Sequence, residues 1–283
     1  MKLLACVIIM LLATLVRAAP APTTQPTRDD GTPYLLAADQ LTAGAHHTRH
    51  AEVFSRGVEG INVLVLRAID RVQATAPDGG GYFIGVKAQP AESPIGYALA
   101  LDGKPLLNPP RKTSYCSGSS YTAFIETLNL IYPNGELARL SPERFEAVRM
   151  QESDGGRRED GVKLWGHWND DGPGCQYALV QYAGGMGVEI NPPHARPGDF
   201  MNINWKSGLG HSTVFLGWHV DAAGKKSVLY WASQKGTNGL GDQESAVGSI
   251  VSVKIVRLVS PEKVFTFDPA AKVNRKVAAD SVE

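Results

Sequence analysis

The chain has 283 residues with 28 Lys and Arg against 28 Asp and Glu, so its formal net charge is zero and its charged fraction, 20%, is that of an ordinary globular protein. That length fits one large domain or two small ones, with a substantial core and no need of disulfide or metal staples. Balanced charge without a long run of either sign argues against nucleic acid or an anionic membrane as partner.

Residues 1–18 read as a secretory signal peptide. Met1-Lys2 gives the charged start, Leu3 to Val16 the apolar middle, and Val16 and Ala18 fit the positions three and one before a cut, making Ala19 the expected mature N-terminus. The apolar run falls short of the roughly 20 residues that span a bilayer, so the expectation is a secreted or periplasmic protein with no stable membrane insertion after cleavage. Residues 19–45 open with Ala-Pro-Ala-Pro-Thr-Thr-Gln-Pro-Thr, carry few large apolar side chains and read as a flexible leader. His46, His47 and His50 follow without Cys or carboxylate at ligand spacing. They read as surface histidines rather than a metal site, and no cofactor is expected.

From Glu52 to Ala76 the residues Val53, Phe54, Val58, Ile61, Val65, Ile69 and Val72 share one helical face, weakened at Gly57 and Gly60 and ended by Pro77 and Gly79-Gly80-Gly81. Tyr82 to Lys87 and Ile95 to Leu101 read as strands, and Asn108-Pro109-Pro110 breaks the chain. Next comes Thr113-Ser114-Tyr115-Cys116-Ser117-Gly118-Ser119-Ser120, after which Tyr121, Phe124, Ile125 and Leu128 recur at helical spacing. Cys116 therefore stands at a helix N-terminus. There unpaired N–H groups and the helix dipole favour a thiolate and can receive an oxyanion, which is how a cysteine nucleophile is mounted. The plain alternative is a structural cysteine that happens to begin a helix.

Residues 133–175 bring a Pro133-Asn134-Gly135 turn, a short helix opened by Ser141-Pro142-Glu143-Arg144, a polar Gly-rich stretch, and the aromatic run around Trp165 and Trp168 that ends at Cys175. Those tryptophans line a groove or, more commonly, belong to a core. Gln176 to Tyr182 reads as another helix. In an oxidising compartment Cys116 and Cys175 invite a disulfide, which would make the chain a non-catalytic binding module.

The last third is rich in strands. Arg196-Pro197-Gly198-Asp199 turns into Phe200 to Trp205; His211 to Trp218 follows Gly208-Leu209-Gly210; Asp221 to Lys226 is a hairpin turn; Ser227 to Ala232, Ser249 to Val256 and Val264 to Phe267 are further strands. Beyond Asp268 apolar periodicity ends and residues 269–283 read as a mobile tail. Helices first and antiparallel strands after them give an α+β domain over 46–268. His211, at a strand start beside a Gly-rich loop, is the histidine placed to take a thiol proton, though a lone histidine there is usually structural.

Cys116-Ser117-Gly118 opening a helix, Arg196-Pro197-Gly198-Asp199-Phe200 entering a strand, and Gly210-His211-Ser212-Thr213-Val214-Phe215-Leu216-Gly217 resemble, in that order, the Cys, Pro-Gly-Asp and His blocks of the NlpC/P60 cysteine peptidases of the papain-like superfamily. The resemblance covers residues 80 to 235. It implies a papain-like α+β fold with N-terminal helices on an antiparallel sheet, a Cys116 nucleophile facing His211, and a hydrolase cleaving amide bonds in peptidoglycan stem peptides, acting as a monomer. The chain departs from the family pattern at three places. Tyr115 stands where an Asp usually precedes the cysteine, residues 133–175 form an insertion, and the family's third polar residue falls near Trp231. Gln234 substitutes for it: Tyr230-Trp231-Ala232-Ser233-Gln234-Lys235-Gly236 resembles the stretch where papain-like enzymes place an orienting asparagine, with Ser233 and His219 as weaker candidates and a simple strand cap as the plain reading. The oxyanion donor would be the Cys116 N–H, helped by Tyr82, Tyr97 or Tyr115. Cys175 is the rival nucleophile, and a general secreted protease or amidase is the alternative activity.

Overall fold

Two glycines divide the first helical stretch. In the computed structural model, which describes residues 31–41, 47–76, 81–84, 95–107, 112–149, 164–165, 175–181, 185–271 and 278–282, the face expected to run unbroken from Glu52 is two helices, α1 (His50–Phe54) and α2 (Ile61–Thr75). Gly57 and Gly60 between them hold φ of +67° and +68°, a region that a side chain disfavours and a helix cannot use. The expected signal peptide and the Gly-rich stretch near 153–161 lie outside the described residues.

Val65, Leu66, Ile69 and Val72 give α2 a buried stripe, and α2 packs on α3 (Cys116–Ile131). Helix α3 is buried on every side through most of its length, from Cys116 to Ile125. Its Ser and Thr side chains can be buried because they bond back to the helix: Ser119 to the Cys116 carbonyl at 2.8 Å, Thr122 to that of Gly118 at 2.5 Å and Thr127 to that of Ala123 at 2.7 Å. Small residues in its first turns let it approach the sheet closely.

A two-stranded ribbon, β1 (Leu99–Leu101) with β2 (Lys104–Leu107), replaces the expected single strand from Ile95. Tyr82 makes only an isolated bridge, to Ser114, and residues 85–94 are outside the described set. Two short helices follow, α4 (Pro142–Val148), capped by the Ser141 hydroxyl, and α5 (Ala178–Gln181), preceded by a 3-10 turn at Cys175–Tyr177. The main sheet contains β3 (Gly187–Ile190), β4 (Phe200–Trp205), β5 (Gly210–Val220), β6 (Lys226–Gln234), β7 (Gly239–Ala246) and β8 (Ile250–Leu258), all antiparallel, in the order β3-β8-β4-β5-β6-β7. Residues 264–267, read as a strand, instead close a 3-10 helix at Pro261–Phe265 and the turn after it, which bury Val264 and Phe267.

One face of the sheet meets the helices. Phe200, Val214, Leu216, Trp231 and Val256 lie there, and Phe200 forms a T with both Phe124 and the fully buried Trp165, at 6.4 and 5.1 Å. Trp165 is thus core; Trp168 is outside the described residues. The other face carries its own smaller cluster of Met201, Ile203, Phe215, Trp218, Tyr230, Val253 and Ile255. The two terminal stretches expected to be free are tied to this sheet where they are described. Tyr34 and Leu36 bracket Trp218 through backbone bonds of 3.0 and 2.8 Å, Leu36 joins the core, and Asp280 exchanges two backbone bonds with Val253. Among the described residues no helix is long and apolar enough to cross a membrane.

Candidate active site

The Pro-Gly-Asp corner fixes where β4 begins and clasps β5 at Phe215. Asp199 is fully buried, receives Nε and an Nη of Arg257 at 2.8 Å each, the Asn62 amide at 2.8 Å and the Arg196 N–H at 2.8 Å. Gly198, at φ +93°, donates to the Phe215 carbonyl, and Phe215 donates to that of Asp199. A buried carboxylate with this many donors locks the corner and, through it, the register of β5.

Helix α3 enters the sheet at a fork. The β5–β6 register runs from Val220↔Lys226 to Val214↔Trp231 and ends there, although β4–β5 pairing continues to Gly210 and β6–β7 pairing to Gln234. Beyond Val214 the strand amides turn to α3 instead of to each other: Ser212 N–H donates to the Cys116 sulfur, and Ser233 N–H to Ser119 Oγ at 2.9 Å. Hydroxyl pairs reinforce this, Ser120 with Ser212 at 2.6 Å and Ser114 with Ser233 at 2.6 Å, all four side chains buried. The serines that flank Cys116 are therefore bonded to the residues next in sequence to His211 and Gln234.

Those two complete the fork. Extending the Val214↔Trp231 register by three residues places His211 opposite Gln234, and Gln234 Oε1 lies 3.1 Å from His211 Nε2. Gln234 Nε2 donates to the Gly241 carbonyl at 2.9 Å, which fixes the amide so that its oxygen faces the ring. His211 Nε2 must then carry the proton, leaving Nδ1 as the basic nitrogen. Burial holds the imidazole down at about 4, against the support of Gln234, so the ring is neutral at pH 7. Tyr230 stands edge-on to it at 5.5 Å and Trp205 tilts beside it at 6.4 Å.

The sulfur's surroundings differ from expectation. Burial pushes the Cys116 thiol up to about 11, although the amides of Ser212, Ser117 and Cys116 itself and the Tyr115 hydroxyl all favour the thiolate. Desolvation outweighs the helix N-terminus, and a depressed thiol is not found. Strand alternation sends Ser212 toward α3 and His211 toward Tyr230, so thiol and imidazole reach the same end of the fork from its two faces. Among the described residues no hydrogen bond joins them; Nε2 bonds Gln234 and sulfur bonds its donors.

The remaining candidates sort by position. Tyr115 touches the sulfur and stacks on Tyr82 at 5.8 Å, whereas burial, helped by Glu126 and opposed by Arg71, keeps the Tyr97 phenol protonated, and its hydroxyl has no hydrogen-bond partner among the described residues. Trp231 points to the helix face, donating to Gln73 Oε1 at 2.9 Å. His219 is eight residues along β5 from His211 and bonds Glu244 at 2.7 Å. Cys175 is buried against β4 and β8, and no disulfide joins it to Cys116. Of the three histidines near residue 46, His46 is outside the described residues, His47 is exposed, and His50 is wholly buried, with Nδ1 2.7 Å from Asp70 and Nε2 2.7 Å from Asp242. His50 is a correction to the surface reading, and the cause is two carboxylates 20 and 192 residues away that proximity in sequence could not reveal. Among the described residues no group of three or more His, Cys, Asp or Glu has a metal-holding arrangement. Compared with family models, curated proteins and solved structures, the chain matches none of them.

Proposed function

We propose that the chain is a thiol hydrolase of amide bonds, with Cys116 as nucleophile, His211 as base and Gln234 as the residue that orients it, and with peptidoglycan stem peptides as its substrate class. The observation that carries this reading is the amide of Gln234 fixing the His211 tautomer at the fork that also holds the Cys116 sulfur. The substrate class rests on the resemblance of the Cys, Pro-Gly-Asp and His blocks to the NlpC/P60 peptidases.

Because thiol and imidazole are both uncharged at pH 7, the proton leaves sulfur during attack rather than before it. Sulfur adds to the carbonyl carbon while its proton passes to Nδ1 through a water at the end of the fork, because thiol and imidazole lie on its two faces and share no direct hydrogen bond; the developing oxyanion accepts from the Cys116 N–H. The imidazolium then protonates the amine, which departs and leaves a thioester. Water, deprotonated by Nδ1, attacks that thioester, releasing the acid and returning the proton to sulfur. Gln234 Oε1 steadies the ring throughout.

A second reading is favoured by one observation: Cys116 is only 1% exposed and the imidazole is turned to the far face. On that reading the chain binds peptide without cutting it. Incubating the mature protein with purified muropeptides and reading the products by mass spectrometry separates the two. Hydrolysis lost in Cys116→Ala and in His211→Ala supports the enzyme; binding with no product in the unaltered protein supports the module.

A further inference from the structure

The residue just ahead of the cysteine is placed unusually. Tyr115 is the N-cap of α3, in extended conformation at φ −133°, ψ 160°, and its side chain does not cap the helix. Its backbone is held by Ser114, which donates to the Gly81 carbonyl at 2.9 Å, accepts from Phe83 N–H at 3.0 Å and forms bridges to both Tyr82 and Ile95. Its ring stacks on Tyr82 at 5.8 Å with the planes 28° apart, and the residue is 6% exposed. That support leaves the phenol little freedom, and its hydroxyl is bonded to the Cys116 sulfur.

From this geometry we propose that Tyr115 is a catalytic residue of this site, its hydroxyl donating to the Cys116 sulfur as negative charge gathers there and then passing to the oxyanion once sulfur has bonded to carbon. The second half of that role rests on the hydrolase reading above; the first does not. A hydroxyl suits the task here because it brings no charge of its own into a desolvated pocket, where a carboxylate would oppose the thiolate. It also accounts for the sulfur having a side-chain donor in addition to backbone N–H groups: a phenol O–H aimed at a developing anion is a charge-assisted bond, shorter and stronger than its neutral counterpart. As carbon–sulfur bonding removes charge from sulfur and moves it to the adjacent oxygen, the same O–H needs only a small swing to follow it.

Tyr115→Phe removes the oxygen alone and keeps the stack on Tyr82. The measurement is the iodoacetamide alkylation rate of Cys116 from pH 6 to 9, read by peptide mass mapping so that Cys175 is scored separately. Loss of a donor to a charged sulfur predicts a rate at least about tenfold lower at every pH in that range. Tyr97→Phe, which removes a buried hydroxyl that has no hydrogen-bond partner among the described residues and is not among the sulfur's donors, serves as control and is expected to stay within about twofold. An unchanged rate in Tyr115→Phe overturns the proposal, and so does a faster one, since a merely loosened pocket admits reagent more readily. Muropeptide hydrolysis by the same variant tests the oxyanion role: a fall in kcat larger than the rise in KM supports it, and an unchanged kcat contradicts it. Because alkylation needs no substrate, a failed hydrolase reading leaves the sulfur-donor claim separately decided.

Discussion

His50→Gln replaces a buried imidazolium with a neutral amide between two carboxylates, and the structure sets the size of the loss. Burial works against the charge on His50, but Asp242 and Asp70, each 2.7 Å from a ring nitrogen, outweigh it and hold the imidazolium up to about 9. The unfolded value is near 6.5, so the folded protein binds this proton more tightly. Its contribution is complete below about pH 6.5 and is lost as the pH climbs through about 9; a difference of that size corresponds to about 3 kcal/mol. Removing the cation outright also strands Asp242, whose side chain is 5% exposed, so the total cost is about 3 to 5 kcal/mol. Since His50 N–H and Ala51 N–H also donate to Asp70, the cluster ties α1 to α2 and β7 at once. Thermal unfolding followed by circular dichroism from pH 6 to 10 should show His50→Gln melting roughly 10 °C lower at pH 6, with the gap closing toward pH 10. A constant gap across that range, or none at pH 6, refutes the claim that the imidazole is charged in the fold.

Other outcomes follow from the same contacts. Gln234→Ala should lower kcat by about 10- to 100-fold with KM little changed, because the ring loses its tautomer and orientation but substrate contacts stay, and pre-steady-state kinetics would reveal a preserved binding step. Ser120→Ala should destabilise more than Ser212→Ala in urea unfolding, because Ser120 retains the Cys116 and Ser117 carbonyls as partners when Ser212 is removed, whereas in the reverse case Ser212 Oγ loses its hydroxyl partner; the pair together should cost less than the sum. Gly198→Ala should cost about 3 kcal/mol or more by the same assay, since its φ is +93° and an added Cβ would lie 2.6 Å from the Asn62 carbonyl oxygen in a corner that cannot shift. With the thiol pushed up to about 11, alkylation of Cys116 should keep rising between pH 6 and 9; a plateau below pH 7 would mean a preformed ion pair instead.

The parts of the fold legible in the sequence are those carried by local pattern. Phe200–Trp205 appears as read, since a Pro-Gly-Asp turn and alternating apolar residues mark it, and α3 starts at Cys116 because small polar residues give way there to helical spacing. What depends on a neighbouring element rather than on a segment's own pattern was hidden. β7 is Gly-Leu-Gly-Asp-Gln-Glu-Ser-Ala, with no apolar alternation, and becomes a strand only because β6 lies beside it. β3 is too short to announce itself. At the site, Gln234 is reached through the likeness of its stretch to the one where papain-like enzymes place an orienting asparagine; counting back from the hairpin turn would put Lys235 opposite His211, and it is the bulge between Phe215 and Gly217 that brings Gln234 there instead. Signs of the electrostatics were not: a helix N-terminus argues for a low thiol, but how deeply α3 sinks into the fork, and hence the burial that reverses the shift, is a property of packing.

The most direct test of the account is capture of the acyl-enzyme. Purified protein incubated with muropeptide and quenched in acid should yield, on peptide mass mapping, the acyl half of the substrate on Cys116, accumulating with time in the native protein and absent in His211→Ala. Product formation with Cys116 unmodified, together with full turnover by Cys116→Ala, would contradict the assignment of nucleophile and base.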